Sequence, residues 1–245
     1  NESFTAKVSI ISLPNFNADE ISNIIKEVGI LSSLNHPSLL KFYGYSSVDF
    51  KNEPKPVIIT ESFLKQTLEG IIEMKRKSIK SKDWDSTQIL MNIYGIASGM
   101  AYLHSKNILH NDLKPRNIFI DKNLLPKLTD YGFYTKIQIS KSMSCQSSSR
   151  IQSSPNYSSP EILNSQEATK ASDVYSFALI VFEMLTKKKP FGHLKTTNEI
   201  FFEVVVKSGR PEFPEEEDED EEEVSPCFKE LIESCWSQNP NERPT

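Results

Sequence analysis

An aspartate, a lysine two residues on and an asparagine five residues on fall in one short stretch, His110-Asn111-Asp112-Leu113-Lys114-Pro115-Arg116-Asn117. Asp112, Lys114 and Asn117 offer a proton acceptor, a cation and an amide oxygen. Phosphoryl transfer asks a protein for those groups: a base for the proton of the attacking hydroxyl, a positive charge for the terminal phosphate and an oxygen ligand for a metal ion. A polar surface turn can hold the same residue types, so the stretch needs support from its surroundings.

Support follows directly. Asn117 to Asp121 reads as a short strand and Lys127 to Thr129 as its partner, joined by a turn around Asn123 and Pro126. Past this ribbon comes Asp130-Tyr131-Gly132, a carboxylate next to a residue that lets the backbone turn sharply. If the Tyr131 hydroxyl is buried it must find a partner or cost about 1–3 kcal/mol.

The elements that must position these groups are legible from periodicity. Upstream, Asp85 opens a helix in which Ile89, Ile93, Ile96, Met100 and Leu103 form a buried face, and this helix delivers the chain to Asp112. Phe4 to Ile11 alternates as a strand. Asn17 starts a helix with Glu20 as capping-box partner and an apolar stripe of Ile21, Ile24, Ile25, Val28, Leu31 and Leu34. Glu27 lies at the edge of that stripe and faces inward, so it needs a cation, and Lys7 on the preceding strand is the candidate. Asn35 to Tyr45 reads as a turn and a strand, with a structural His36, and Val57 to Glu61 as a buried strand. Gln66 to Lys77 reads as a helix. Asp173 caps a helix from Val174 to Leu185 that is apolar nearly all round and belongs at a centre. Asn198 to Lys207 and a segment opened by Ser225-Pro226, carrying Phe228, Leu231, Ile232, Cys235 and Trp236, complete the helices.

The chain has 245 residues, enough for one large domain or two lobes with a sizeable core. No apolar run reaches membrane-spanning length and the first residues lack a signal pattern. Cys145, Cys227 and Cys235 lie far apart without metal spacing and read as free thiols of a reducing, cytoplasmic compartment. The net charge of −5 hides an asymmetry. Residues 215–223 supply nine of the 33 acidic residues, so the remainder holds 24 acidic against 28 basic, about +4. The run lies beyond Pro211 and Pro214 and reads as a solvated loop; a docking site for a basic partner is the functional alternative. Nothing in this pattern points to nucleic acid. Residues 133–158 are Ser-rich and read as a mobile loop.

Residues 110–117 resemble the catalytic loop of protein kinases, H-R-D-L-x-x-x-N, with Asn111 where that family usually has Arg; Lys114-Pro115 is similar to the Ser/Thr-type loop. Asp130-Tyr131-Gly132 resembles D-F-G, with Tyr for Phe. The first strand resembles V-A-I-K, with Ala6-Lys7 matching its last step only. Ser154 to Glu161 resembles the stretch ending in A-P-E, with Ser159 for Ala, and Pro240 to Pro244 resembles P-x-x-R-P. In overall flavour the chain is similar to the tyrosine-kinase-like branch of Ser/Thr kinases. No G-x-G-x-x-G precedes Lys7 and no final helix follows Thr245, so a chain cut from a longer protein is expected.

The resemblance implies an α+β, bilobal protein-kinase fold: a small β-rich lobe over 1–60 without the Gly-rich hairpin, a hinge at 61–64 and a larger, mostly helical lobe over 65–245. It implies Mg²⁺ and ATP as cofactors and Ser/Thr hydroxyls of proteins as substrates. Asp112, Lys114 and Asn117 would be catalytic. Ala6, Lys7, Glu27, Thr60, Glu61 and Phe63 would border the nucleotide, with Lys7 and Glu27 at its phosphates, and Asn117 and Asp130 would hold the metal. It also implies that Asp173 binds the catalytic-loop backbone and that Arg243 pairs with Glu161. The rival expectation is a pseudokinase, a binding module on the same fold, favoured by Asn111, Tyr131 and the partial match at Lys7.

Overall fold

The computed structural model of the protein describes residues 4–8, 18–62, 66–77, 84–131, 155–214 and 224–245. Phe63, Gly132, the Ser-rich stretch from 133 to 154, the acidic run 215–223, and Asn17 with its proposed capping box lie outside the described residues. So do the side chains of Lys7 and Glu27, and with them the expected ion pair, although the backbone of both is placed.

The small part of the molecule is an antiparallel sheet of β1 (Phe4–Val8), β2 (Phe42–Ser46) and β3 (Val57–Glu61) in the order β1-β3-β2. β3 is central, which is why its sequence is apolar without alternation and why Val57 and Ile58 are buried. Ala6 sits opposite Ile59 and Lys7 opposite Ile58. α1 (Ala18–Ser33) packs on β2. Its apolar stripe is narrower than expected: Ile24 is buried and Val28, Leu31 and Leu34 are half-buried, but Ile21 and Ile25 are exposed. The inward face falls along Ile24, Val28 and Leu31; Ile25, one position on from Ile24, rotates off it, and Ile21, a turn earlier, lies beyond the covered part of the helix.

The larger part is helical. α2 (Leu68–Arg76) is capped by Thr67, whose Oγ1 accepts from the Gly70 N–H at 3.2 Å. α3 (Ser86–Ser105) is capped as expected by Asp85, which accepts from the Gln88 N–H at 2.9 Å. α4 (Pro160–Leu163) is a single turn, and α5 (Lys170–Thr186) is the centre of the core, with Tyr175, Leu179, Ile180 and Val181 at 0 % exposure. α5 starts earlier than expected. Thr169 precedes it and the Ser172 hydroxyl accepts from the Thr169 N–H at 3.2 Å, so Asp173 lies inside the first turn and its carboxylate is available for other bonds. α6 (Thr197–Phe201) runs into one π-helical turn, Phe202–Val206, rather than one α-helix to Lys207. α7 (Pro226–Cys235) packs on α5 and buries Ile232, Cys235 and, just beyond its end, Trp236, while Leu231 stays exposed. Cys227 and Cys235 are free thiols. Among the described residues no helix is long and apolar enough to cross a membrane.

A two-stranded ribbon joins the parts. β4 (Ile118–Ile120) pairs antiparallel with β5 (Pro126–Leu128), and Asp121 Oδ1 closes the turn by accepting from Asn123 and Leu125 at 2.8 and 2.9 Å. Leu128 donates to the Ser38 carbonyl and accepts from Leu40, which ties the ribbon to the segment entering β2. On the other side α3 meets the ribbon through Gly95 and Gly99. A Cβ at Gly95 would stand 2.5 Å from Pro126 Cγ, and one at Gly99 2.8 Å from Leu128 Cδ1, so the spacing of helix and ribbon depends on their absence.

Candidate active site

The loop carrying Asp112 lies between the end of α3 and β4, and α5 fixes it from below. Asp173, 3 % exposed, accepts from the His110 N–H through Oδ2 (2.9 Å) and from the Asn111 N–H through Oδ1 (3.0 Å); His104 Nε2 lies 2.9 Å from the same Oδ2. A buried carboxylate must be fully hydrogen-bonded, and three donors achieve that here. Asn111 has φ 66°, the left-handed region that Asn tolerates better than most residues. The Asp173 bond to its N–H holds it there.

Asp112 faces two donors. Lys114 Nζ donates to Oδ1 at 2.8 Å; Asn117 Nδ2 donates to Oδ2 at 2.9 Å and to the Asp112 carbonyl at 2.8 Å. The three residues named from sequence are therefore one hydrogen-bonded unit. Asn117 is further fixed because its own carbonyl accepts from both the N–H and the hydroxyl of Thr129 at 3.0 and 3.1 Å. Its two amide hydrogens point at Asp112, so its side-chain oxygen is the atom left to meet a cation.

Thr129 leads directly to Asp130, which has φ 58°. The carboxylate of Asp130 and the amide oxygen of Asn117 are hard donors that suit a hard divalent cation. Among the described residues no group of three or more His, Cys, Asp or Glu forms a closed metal cage. A cation here would be held by two protein oxygens, with ligand and water oxygens completing the shell.

Tyr131 is 6 % exposed and its hydroxyl donates to the Leu40 carbonyl at a long 3.4 Å, the partner its burial demanded. Burial, reinforced by Asp130 and Glu61, raises its pKa above the ordinary phenol value. Its ring meets His110 edge-on, centroids 6.3 Å apart. His110 is completely buried, and neither ring nitrogen has a hydrogen-bond partner among the described residues. Burial lowers its pKa, against the pull of Asp173, Asp112 and Asp130, so the ring is a neutral packing element.

The residues expected at the nucleotide base share the sheet. Thr60 and Glu61 end β3 beside Thr5 and Phe4 of β1, one step from Ala6. The Thr60 hydroxyl lies 3.3 Å from the Glu61 carbonyl, and the Glu61 N–H donates to Lys41. Sequence reading missed the Glu61 side chain. It accepts from the Lys41 N–H at 2.8 Å and pairs with Lys127 on β5 at 3.2 Å, linking the end of β3 to the strand that leads to Asp130.

Two ion pairs with buried carboxylates, Glu161 and Glu183, tie the elements around the site together. The expected one is present: Arg243 Nη1 and Nη2 grip Glu161 Oε1 and Oε2 at 2.7 and 3.0 Å, and Ser172 adds a bond to Oε1 at 2.9 Å. Burial alone would raise the Glu161 pKa; the Arg243 fork and its neighbours outweigh burial and hold it below the ordinary value. The unexpected one centres on Glu183, which accepts from the Tyr157 hydroxyl and from Arg76 Nη2 (3.0 Å) and whose pKa burial raises. A Glu in an otherwise apolar helix was the available signal, because such a group needs partners from other elements.

Comparison with known proteins agrees with this geometry. The family model for the protein kinase domain matches residues 2–245, and the chain belongs to that family. It is 34 % identical over 221 residues to a probable serine/threonine-protein kinase of Dictyostelium discoideum, covering 89 % of this chain and 15 % of that protein. It is 30 % identical to the serine/threonine-protein kinase CTR1 of Arabidopsis thaliana, with 97 % and 27 % covered. A third relative is the dual specificity protein kinase shkC of Dictyostelium discoideum, 30 % identical, with 97 % and 44 % covered. The chain thus spans less than half the length of these relatives. The resemblance to the tyrosine-kinase-like branch stands with the Arabidopsis relative.

Proposed function

We propose that this domain transfers the γ-phosphate of ATP to Ser or Thr hydroxyls of protein substrates, with Mg²⁺ as the divalent ion. The observation that supports it most is the Asp112 carboxylate held between Lys114 and Asn117, with Asp130 two residues past the end of the adjoining strand β5. Asp112 Oδ2 accepts the proton of the attacking hydroxyl. Lys114 sits beside the same carboxylate, where it offsets charge on the transferring group. Asn117 and Asp130 hold the metal, which when bound neutralises phosphate charge. Lys7 and Glu27 orient the phosphates, and Thr60, Glu61 and Phe63 border the base.

The pseudokinase reading rests on Asn111, Tyr131 and the partial match at Lys7. It loses ground because Asn111 is held by Asp173, Tyr131 has a partner, and Asp112, Lys114, Asn117 and Asp130 are all retained. A basic partner at the acidic run 215–223 stays the alternative to a solvated loop there, and the protein is proposed to act in the cytoplasm.

The test is γ-phosphate transfer to a generic Ser/Thr substrate by the full-length protein beside Asp112→Asn. The variant keeps an acceptor for Lys114 but loses the base, so a fall in kcat of about 10²–10⁴ is expected with the melting temperature unchanged. Equal activity of the two proteins would overturn the assignment.

A further inference from the structure

Within the catalytic loop, Lys114 and Asn117 turn inward to Asp112, while Arg116 between them turns out and is 68 % exposed. Its Nε pairs with Glu69 of α2 at 3.1 Å, an exposed contact of little strength. A chain of bonds runs on from there. Arg76, at the other end of α2, reaches Glu183 and donates through Nε to the Lys187 carbonyl at 2.7 Å. Glu183 takes the Tyr157 hydroxyl, and Asn156 beside Tyr157 donates to the Pro190 carbonyl at 2.8 Å. The catalytic loop, α2, the turn at 155–157 and the segment Lys187–Pro190 are therefore linked in one run, and the surface along it begins at the Asp112 loop.

That surface is unevenly charged. Arg116, Arg76, Lys77, Lys188 and Lys189 are exposed on its elements, against an exposed Glu73 and a half-buried Glu69. Arg76 touches both Glu183 and the Lys187 carbonyl, so it meets the chain one residue before the Lys188-Lys189 pair. A polypeptide presenting a hydroxyl to Asp112 meets Arg116 in the same loop first, and reaches Lys188 and Lys189 where it runs on along these elements.

Building on the kinase reading above, we propose that Arg116 and the Lys188-Lys189 pair select acceptor Ser or Thr residues flanked by Asp or Glu. An acidic flank exchanges the weak Arg116–Glu69 pair for a contact with the substrate and meets Lys188 and Lys189 further along. Such rim contacts set specificity and encounter rate, and they weaken with salt.

The test uses the full-length protein and three peptides with one central Ser, flanked by Asp/Glu, by Ala or by Lys/Arg. The expected result is a kcat/KM on the order of tenfold higher for the acidic than for the Ala peptide, falling as salt is raised. Arg116→Glu and, separately, Lys188→Glu with Lys189→Glu should each reduce or invert the preference. The second variant lies outside the loop and keeps the test valid if the first disturbs folding. Binding of the labelled peptides by fluorescence anisotropy is measured in parallel. If no peptide is phosphorylated, the kinase reading fails, yet tighter binding of the acidic peptide that the Lys188→Glu/Lys189→Glu variant abolishes would still support the rim. Transfer or binding without regard to flanks, or a preference for the Lys/Arg peptide, would overturn the proposal.

Discussion

Asp112, Lys114 and Asn117 were recognisable from type and spacing because phosphoryl transfer restricts both. The direction in which the Asn117 amide faces was not, since it depends on Asp112 and Thr129 arriving from either side. Glu161 and Arg243 lie 82 positions apart, so only a motif could join them in sequence. Their bond carries a pH signature. With its pKa held below the ordinary 4.5, Glu161 contributes stability that is fully present above that value and is lost as pH falls through the lowered one. In Arg243→Ala the carboxylate stays buried without its cation, at a cost of about 3–5 kcal/mol at pH 7. Protonation then relieves the variant while it weakens the wild type. Urea unfolding at pH 7 and pH 4 should show the stability gap between the two proteins shrinking at the lower pH. A gap of equal size at both would mean that Glu161 does not titrate as argued.

At the scale of elements, the apolar pattern located the helices well where one broad face is buried, as in α3, or nearly every face, as in α5. It failed where several faces compete. The stripe on α1 counted Ile21 and Ile25, which are exposed, because spacing alone does not say how wide the covering surface is. The start of α5 was misplaced because Asp173 looks like a cap in sequence, while Thr169 caps the helix, Ser172 closes its capping box, and Asp173 is left for the loop. Gly95 and Gly99, four apart on the buried face of α3, were an overlooked signal: Gly is a poor helix former, and its place there marks a close approach. Gly95→Ala sets two effects against each other. Helix propensity favours Ala by about 1 kcal/mol. The added methyl meets the stiff Pro126 ring at 2.5 Å, and overpacking of this kind costs about 1–3 kcal/mol. The overpacking should win, because helix and ring can yield only by moving β5, and with it Asp130. Net destabilisation with a drop in kcat is expected from parallel melting and activity measurements. A more stable, fully active variant would show that the ribbon moves freely.

For the whole molecule, the small sheet and the helical part are tied by the ribbon bonds of Leu128 to Ser38 and Leu40, by Glu61 to Lys127 and by Tyr131 to Leu40. All of these converge within three residues of Asp130, so a ligand held there should stabilise both parts at once. The proposed site supplies two hard oxygens, Asn117 and Asp130, too few to bind a divalent cation tightly alone. The cation should therefore stabilise the protein only together with the nucleotide, whose phosphates complete its shell. A ligand at about 100 times its Kd adds about 2.7 kcal/mol. For a domain of this size that corresponds to a rise in melting temperature of roughly 5–10 °C. Thermal scans should show that rise with ATP and MgCl₂ together, a small shift with either alone and full reversal by EDTA. Asp130→Asn, which removes the only charge of the ligand pair but keeps the shape, should lose most of the shift while leaving the melting temperature of the ligand-free protein nearly unchanged. A rise of the same size with ATP in EDTA would mean that the nucleotide binds without the metal, and that Asn117 and Asp130 do not hold a cation. The absence of any shift with ATP and MgCl₂ would restore the pseudokinase reading, because the site would then be formed but unable to bind what the chemistry needs.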